Sequence, residues 1–252
     1  MSDPAGPTLS VIIPVYNERS TIEEVLWRVQ QVEIDKEVIV IDDGSTDGTR
    51  EFLQEISGGI ASGLESTVLP KTGHRLFLGN LVVRLQATNR GKGAALHQGF
   101  RQARGRIVII QDADLEYDPQ EYFQLIGPIE RGLADVVYGS RFLGGPHRVL
   151  LYRHSLGNKL LTHLSNIFTD LNLTDVWTGY KVFRRELLLG LDLREERFGF
   201  EPEVTAKIAR TGCRVYEVPI SYTGRTYAEG KHIGWKDAVS GLRCVFRYNL
   251  FR

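Results

Sequence analysis

The chain has 252 residues, 42% hydrophobic and 25% charged, with Lys plus Arg equal to Asp plus Glu at 31 each. That is the composition of a soluble globular protein, large enough for one sizeable α/β domain, and its neutral balance points away from nucleic acid. No apolar run approaches the roughly 18 residues of a bilayer span. Met1–Pro7 has neither the basic start nor the apolar core of a leader, and Cys213 and Cys244 are too few and too far apart for a disulfide framework or zinc site. The expected location is the cytoplasm.

In chain order, Leu9–Val15 reads as a buried strand followed by Tyr16, Asn17 and Glu18. Ser20-Thr21-Ile22-Glu23 is a capping-box pattern, and Ile22, Val25, Leu26 and Val29 then recur at helical spacing. Glu37–Ile41 is a second strand and runs into Asp42-Asp43-Gly44-Ser45-Thr46-Asp47-Gly48-Thr49, with a helix through Phe52, Leu53 and Ile56 after it. Strand–helix–strand–helix is the grammar of a parallel sheet with right-handed crossovers. Between Gly58 and Asn80 the pattern lapses. That segment admits two readings, an irregular loop or a small hairpin with arms at Ser66–Leu69 and Arg75–Leu78.

Leu81–Leu85 resumes the strand rhythm. Asn89-Arg90-Gly91-Lys92-Gly93 lacks P-loop spacing and only partly mimics the dinucleotide fingerprint, so it reads as a helix-start turn whose glycines permit close packing. A further strand, Arg106–Gln111, delivers Asp112, Asp114 and Glu116 at alternate positions. A buried strand cannot continue through three carboxylates, so the sheet ends there, at the edge where open α/β sheets bind ligands. Closely spaced carboxylates are hard oxygen ligands for Mg2+ or Mn2+, which in turn hold diphosphates. With Asp42, two strands end in acids at neighbouring carboxyl ends. Asp118-Pro119 opens the next helix, followed by a strand at Asp135–Tyr138 and Gly139-Ser140-Arg141.

The second half is more helical. A helix at Leu156–Phe168 carries Leu160, Leu161, Leu164 and Ile167 on one face; a short strand ends Trp177–Phe183; a helix at Pro202–Arg210 is closed by Gly212. Val215–Val218 reads as an edge strand. Phe142–Tyr152 mixes apolar and basic residues. The last helix, from Trp235, sets Leu242, Val245, Phe246 and Leu250 among Arg243, Arg247 and Arg252. That is the pattern of a basic helix lying on a membrane surface, or simply of one packed on the sheet.

Val11-Ile12-Ile13-Pro14-Val15-Tyr16-Asn17-Glu18, Asp42 through Thr49, Gln111 through Glu116, and Gly139-Ser140-Arg141 occur in this order. Together they resemble family 2 inverting glycosyltransferases of the GT-A fold, above all the dolichyl- and polyprenyl-phosphate sugar synthases. Trp177 through Lys181, Phe200 through Glu203, and Arg225 through Lys231 extend the likeness over nearly the whole chain. The resemblance implies a three-layer α/β/α domain over 1–252 with a mostly parallel sheet, a nucleotide-sugar half at 1–145 and an acceptor half at 146–252. It implies that Pro14, Tyr16, Glu18, Val40, Asp42, Asp112, Ala113 and Asp114 line the donor site. Asp112, Asp114 and Glu116 would hold Mg2+ or Mn2+; relatives often carry Gln in place of Glu116. Arg225 and Lys231 match basic residues that close over the diphosphate. Arg141 matches the arginine near the donor phosphates and the acceptor phosphate, and Arg153 would help hold the acceptor phosphate.

The implied activity is inverting transfer of a sugar from a nucleotide-sugar, GDP-mannose or UDP-glucose in type, to a polyprenyl phosphate. A phosphate acceptor is already anionic, so no Ser–His–Asp arrangement is needed. A lipid acceptor also implies contact with the cytoplasmic face of a membrane, or with a membrane-embedded protein. The alternatives are the same fold acting on a saccharide or glycan, or a non-catalytic nucleotide-sugar-binding subunit of a membrane complex.

Overall fold

The computed structural model describes residues 6–149, 152–197, 199–225 and 235–250. Seven strands form one sheet in the order β5 (Leu81–Leu85), β2 (Lys36–Asp42), β1 (Leu9–Val15), β6 (Ile107–Ile110), β8 (Lys181–Arg184), β7 (Val136–Ser140), β9 (Val215–Pro219). All neighbours run parallel except β8, which is antiparallel to both β6 and β7. Asp42 and Asp112 therefore share the carboxyl edge but are not neighbours, because β1 lies between their strands.

Strand periodicity builds the layers. Successive side chains alternate faces, so Val11, Ile13, Val38, Val40, Ile109 and Val137 pack with α1 (Ile22–Gln31), α2 (Thr49–Ala61) and α4 (Tyr122–Glu130). Ile12, Ile39, Ile41, Val108, Ile110 and Val136 face the other way, against α3 (Lys92–Gln102), α6 (Arg185–Gly190) and α7 (Phe200–Thr211). The result is the expected α/β/α sandwich.

The Gly58–Asn80 segment takes the hairpin alternative. β3 (Ser66–Val68) pairs antiparallel with β4 (Arg75–Phe77), and Leu69, Leu76 and Leu78 are buried in the first core cluster. Burying three leucines contributes roughly 1.5–3 kcal/mol each, which offsets the ordering of the segment. His74 stacks on Trp27 of α1 with ring centroids 4.0 Å apart.

The capping box is not formed. Thr21 makes no side-chain cap, and its hydroxyl donates to the Glu18 side chain and to the Ala113 carbonyl at 2.7 Å. Glu23 pairs with Arg19 and accepts the Lys71 amide, fastening the hairpin to α1. Asp118 does accept the Gln120 amide, but a 3-10 turn over Pro119–Glu121 precedes α4.

The amino end of the sheet is sealed by a buried carboxylate. Glu37, 2% exposed, accepts the Ser10 hydroxyl at 2.6 Å, the Arg104 amide at 2.6 Å and the Arg104 guanidinium at 2.9 Å. Burial pushes its pKa up, but the bonds from Ser10 and Arg104 outweigh burial and hold it low.

In the second half one helix departs from expectation and the last one takes its packing alternative. α5 (Tyr152–Thr169) buries Thr162 and Ser165, whereas Leu160 and Ile167 are exposed. α8 (Trp235–Leu250) is chiefly a packing helix: Cys244, Val245 and Tyr248 are buried, and Tyr248 and Cys244 cluster with Ala206 of α7. Phe246 and Leu250 remain exposed on it, and Arg252 lies outside the described residues. Among the described residues no helix is long and apolar enough to cross a membrane.

Candidate active site

Beyond β6 the chain turns sharply. Gln111 is fully buried, and its side-chain carbonyl accepts the hydroxyls of Tyr122 at 2.8 Å and Tyr180 at 2.7 Å. This anchors the point at which the acids leave the sheet. Leu115 sits at φ 63°, a left-handed conformation costly for a residue with a side chain, so the turn is held by its surroundings.

The three acids have different partners. Asp112 is 2.8 Å from the Lys92 ammonium, which also lies 3.4 Å from Glu201. Burial opposes the charge on Lys92, but Asp112 and Glu201 outweigh it and raise its pKa. Glu116 is spoken for on both oxygens: Tyr222 donates its hydroxyl at 2.8 Å and Arg225 its amide at 2.6 Å. Asp114 has the least compensation, since it accepts the Glu116 amide at 3.1 Å and meets Arg225 only at 3.4 Å. Burial, then Asp112 and Glu116, push its pKa from 3.8 to about 8.

Counter-charges come from the second half of the chain. Arg225 straddles the two oxygens of Glu18 at 2.8 and 3.1 Å, bridging the β1 loop to the acid turn. Arg141, just past β7, forks onto fully buried Asp175 at 2.6 and 2.8 Å. Burial works against this guanidinium, and Asp175 more than compensates, raising its pKa. It lies 5.0 Å above the Tyr222 ring, and Tyr222 in turn tilts against Tyr117, which stacks on Tyr180 at 4.6 Å. The fork uses only part of the guanidinium's donors. Arg141, Tyr222, Glu116 and Arg225 thus form one connected chain of contacts.

The donor-side loops are laced together. Asn17, at φ 55°, donates its amide to Ser45 at 2.9 Å and accepts the Thr46 amide at 2.8 Å. The Glu18 amide donates to Thr49 at 3.1 Å. Pro14 is half-buried and Tyr16 is exposed at this rim, while buried Ala113 offers its carbonyl to Thr21. Two expected donor residues have their side chains buried. Val40 is fully buried in mid-strand and packs in the core, presenting no side chain to the cleft. Asp42 is fully buried too, its carboxylate held by Arg50 at 2.8 Å and by the Ser45 amide at 3.2 Å. Both positions follow from strand alternation, which the acid ending of the strand does not reveal.

The structure therefore brings together Glu18, Asp112, Asp114, Glu116, Arg141 and Arg225. Arg153 is exposed in the first turn of α5, and Lys231 lies outside the described residues. Lys92, Asp175, Glu201 and Tyr222 also belong to the cluster, yet sequence reasoning passed over them. Lys92 had a detectable signal, a lysine opening a helix at the same sheet edge; Asp175 and Tyr222 had none. The helix-start reading of Gly91–Gly93 is borne out, for a Cβ on Gly93 would stand 2.1 Å from the Glu195 carbonyl.

Among the described residues no three acids, histidines or cysteines converge on a ready-made metal position. The donor set nevertheless fits a hard divalent ion, because Asp114 is a half-buried oxygen ligand with too little positive charge around it. Mg2+ is typically bound by one or two carboxylates together with substrate phosphates.

The family model for glycosyl transferase family 2 matches residues 10–190. A polyprenol monophosphomannose synthase of Mycolicibacterium smegmatis is 30% identical over 231 residues, covering 89% of this chain and 80% of that protein. An undecaprenyl-phosphate mannosyltransferase of Micrococcus luteus is 30% identical over 233 residues, covering 88% and 86%. Among solved structures, glucosyl-3-phosphoglycerate synthase from Mycobacterium tuberculosis, in complex with Mn2+, uridine diphosphate and glucosyl-3-phosphoglycerate, aligns with a TM-score of 0.69 at 22% identity. That match covers 98% of this chain and 82% of the other and establishes a shared fold.

Proposed function

The chain belongs to glycosyl transferase family 2, and from that premise we propose that it transfers a hexose from a nucleotide-sugar to a polyprenyl phosphate with inversion. Mannose from a GDP-mannose-type donor ranks first, because both quoted relatives are named for mannose; a UDP-glucose type ranks second. The observation that carries the reading is the division of charge at the carboxyl edge. Asp114 is short of positive charge on one side, and Arg141 is locked in place by Asp175 on the other.

Asp114, backed by Asp112 and Glu116, would hold Mg2+ or Mn2+. When bound, such an ion stabilises, as a Lewis acid, the charge that builds on the departing nucleoside diphosphate. Arg225 supplies positive charge beside the same acids, and Lys231 is assigned the same task from its sequence position. In a partly dry cleft a charge pair at about 4 Å is worth roughly 4 kcal/mol gross, against about 1 in water. Glu18 and Tyr16 form the donor rim. Arg141, with Arg153, receives the acceptor phosphate.

Its oxygen is already anionic at neutral pH, so no base has to remove a proton. It forms a bond to the anomeric carbon as the bond to the donor phosphate breaks on the opposite face, which inverts that centre. In this reading residues 1–145 serve the donor and 146–252 the acceptor, within one catalytic unit. Work on a lipid acceptor from a charged cytoplasmic donor places the protein at the cytoplasmic face of a membrane.

The test is purified protein with GDP-mannose or UDP-glucose, Mn2+ and a short-chain polyprenyl phosphate, with the product anomer assigned by NMR. An inverted glycosyl phosphate is expected, lost in Arg141→Ala. Transfer only to saccharides, or a retained anomer, would overturn the proposal. Donor binding, seen as a rise in melting temperature, with no transfer to any acceptor would favour a non-catalytic subunit.

A further inference from the structure

Helix α5 wears its apolar residues outward. Thr162 and Ser165 are buried, whereas Tyr152 is 75% exposed, Leu156 53%, Leu160 58% and Ile167 61%. Residues three or four apart share a helix face, so these positions form one apolar face along the helix, interrupted by exposed His163 between Leu160 and Ile167. Val149, just before it, is 88% exposed. Scattered surface leucines are ordinary, but several large apolar side chains on one face mark a contact surface.

The charges around the stripe identify what it contacts. From Val136 to Thr169 the sequence has no Asp or Glu, in a chain with 31 of them. Over the same stretch Arg148, Arg153 and Lys159 are exposed. The helix is also tied to the site, because Asn158, between Leu156 and Leu160, donates to Asp175 at 3.2 Å and lies 3.5 Å from Arg141. Two copies meeting through this face would oppose the same cations with no acid from that stretch between them, since a two-fold interface pairs a patch with itself. An anionic surface has the required complementarity.

We propose that this face of α5 seats the protein on an anionic lipid bilayer. Tyr152, Leu156, Leu160 and Ile167 enter the headgroup–acyl boundary, and Arg148 and Lys159 lie against lipid phosphates, flanking Arg153 at the acceptor phosphate. The contact moves from the last helix, whose apolar side is largely spent on α7, to α5. Its purpose rests on the polyprenyl-phosphate reading, because it delivers Arg141 to the depth where a lipid phosphate emerges.

Flotation with phosphatidylcholine vesicles, with and without phosphatidylglycerol, tests it. The protein should bind the anionic vesicles, less so in high salt. Leu156→Glu with Leu160→Glu should weaken binding at least about tenfold. Ile167→Glu should do so separately. Melting temperature and transfer to a short, water-soluble polyprenyl phosphate should be unchanged, since these side chains are exposed. Vesicle binding equal to the parent in both variants, or a parent that never binds, would overturn the proposal. So would a parent dimer that the same variants split into monomers. Vesicle binding lost in the variants, with no polyprenyl phosphate accepting sugar, would leave the surface standing and remove the acceptor reading instead.

Discussion

Asp114 sits beside two carboxylates, Asp112 and Glu116, whose negative charge its own neighbours do not balance. Asp114→Asn removes that repulsion and the principal oxygen ligand together. The variant should keep its fold while transfer falls on the order of a hundredfold or more, several kcal/mol of lost charge stabilisation. Its pH behaviour is distinctive. With a folded pKa of about 8 against 3.8 ordinarily, Asp114 binds a proton in the folded state that the unfolded chain has already lost. In chelator, its contribution to stability is fully present below about pH 4 and is lost as pH rises through about 8. Melts at pH 5 and pH 8 should show a fall in the parent that is smaller in Asp114→Asn, and Mn2+ should protect the parent most at pH 8. Equal slopes in the two proteins would refute the assignment. The acids themselves were plain from their spacing, but their division of labour was not. Whether a carboxylate meets Lys92, Arg225 or nothing depends on long-range neighbours such as Glu201 and Tyr222, which no local pattern encodes.

The elements show the same split between local and long-range information. β1, β2 and β6 were legible because buried strands read as apolar runs, and β5, at the sheet edge, because Leu81, Val82 and Val83 resume that rhythm. β8 appeared as a short strand, but its antiparallel insertion between β6 and β7 is a matter of topology. α5 misleads because a helical apolar stripe has the same period whether it faces a core or something outside the protein. The Trp177–Lys181 turn makes its own prediction. A Cβ on Gly179 would stand 2.1 Å from an Asp112 oxygen and 2.9 Å from the Tyr117 ring, and its amide donates to the Tyr117 hydroxyl at 2.9 Å. Gly179→Ala must therefore displace the Asp112 carboxylate, whose other oxygen meets Lys92. A cost of about 1–3 kcal/mol is expected from overpacking, a drop of several degrees by thermal melt. Transfer should fall further than that loss of stability explains. An unchanged rate would show that Asp112 can move without consequence.

For the whole molecule, the sandwich and its acid-lined edge followed from pattern and resemblance, and both are present. Burial rather than sequence decides which side chains that edge exposes, as with Val40 and Asp42. At the opposite end, Glu37 joins β1, β2 and the segment leading into β6 through Ser10, Arg104 and the Gly105 amide at 3.2 Å. The carboxylate itself is buried, although the Arg104 side chain is exposed. The sheet is thus clamped at its amino end, while its carboxyl end is held by loops and ion pairs. Deuterium uptake should run as a gradient along each strand, slowest at the amides of Val11, Val38 and Ile109 and faster toward Asp43 and Asp114. Glu37→Gln should flatten that gradient from the clamped side. The protein would then behave as a cantilever, stiff at its root, with the acids mounted at the tip where small displacements are easiest to make.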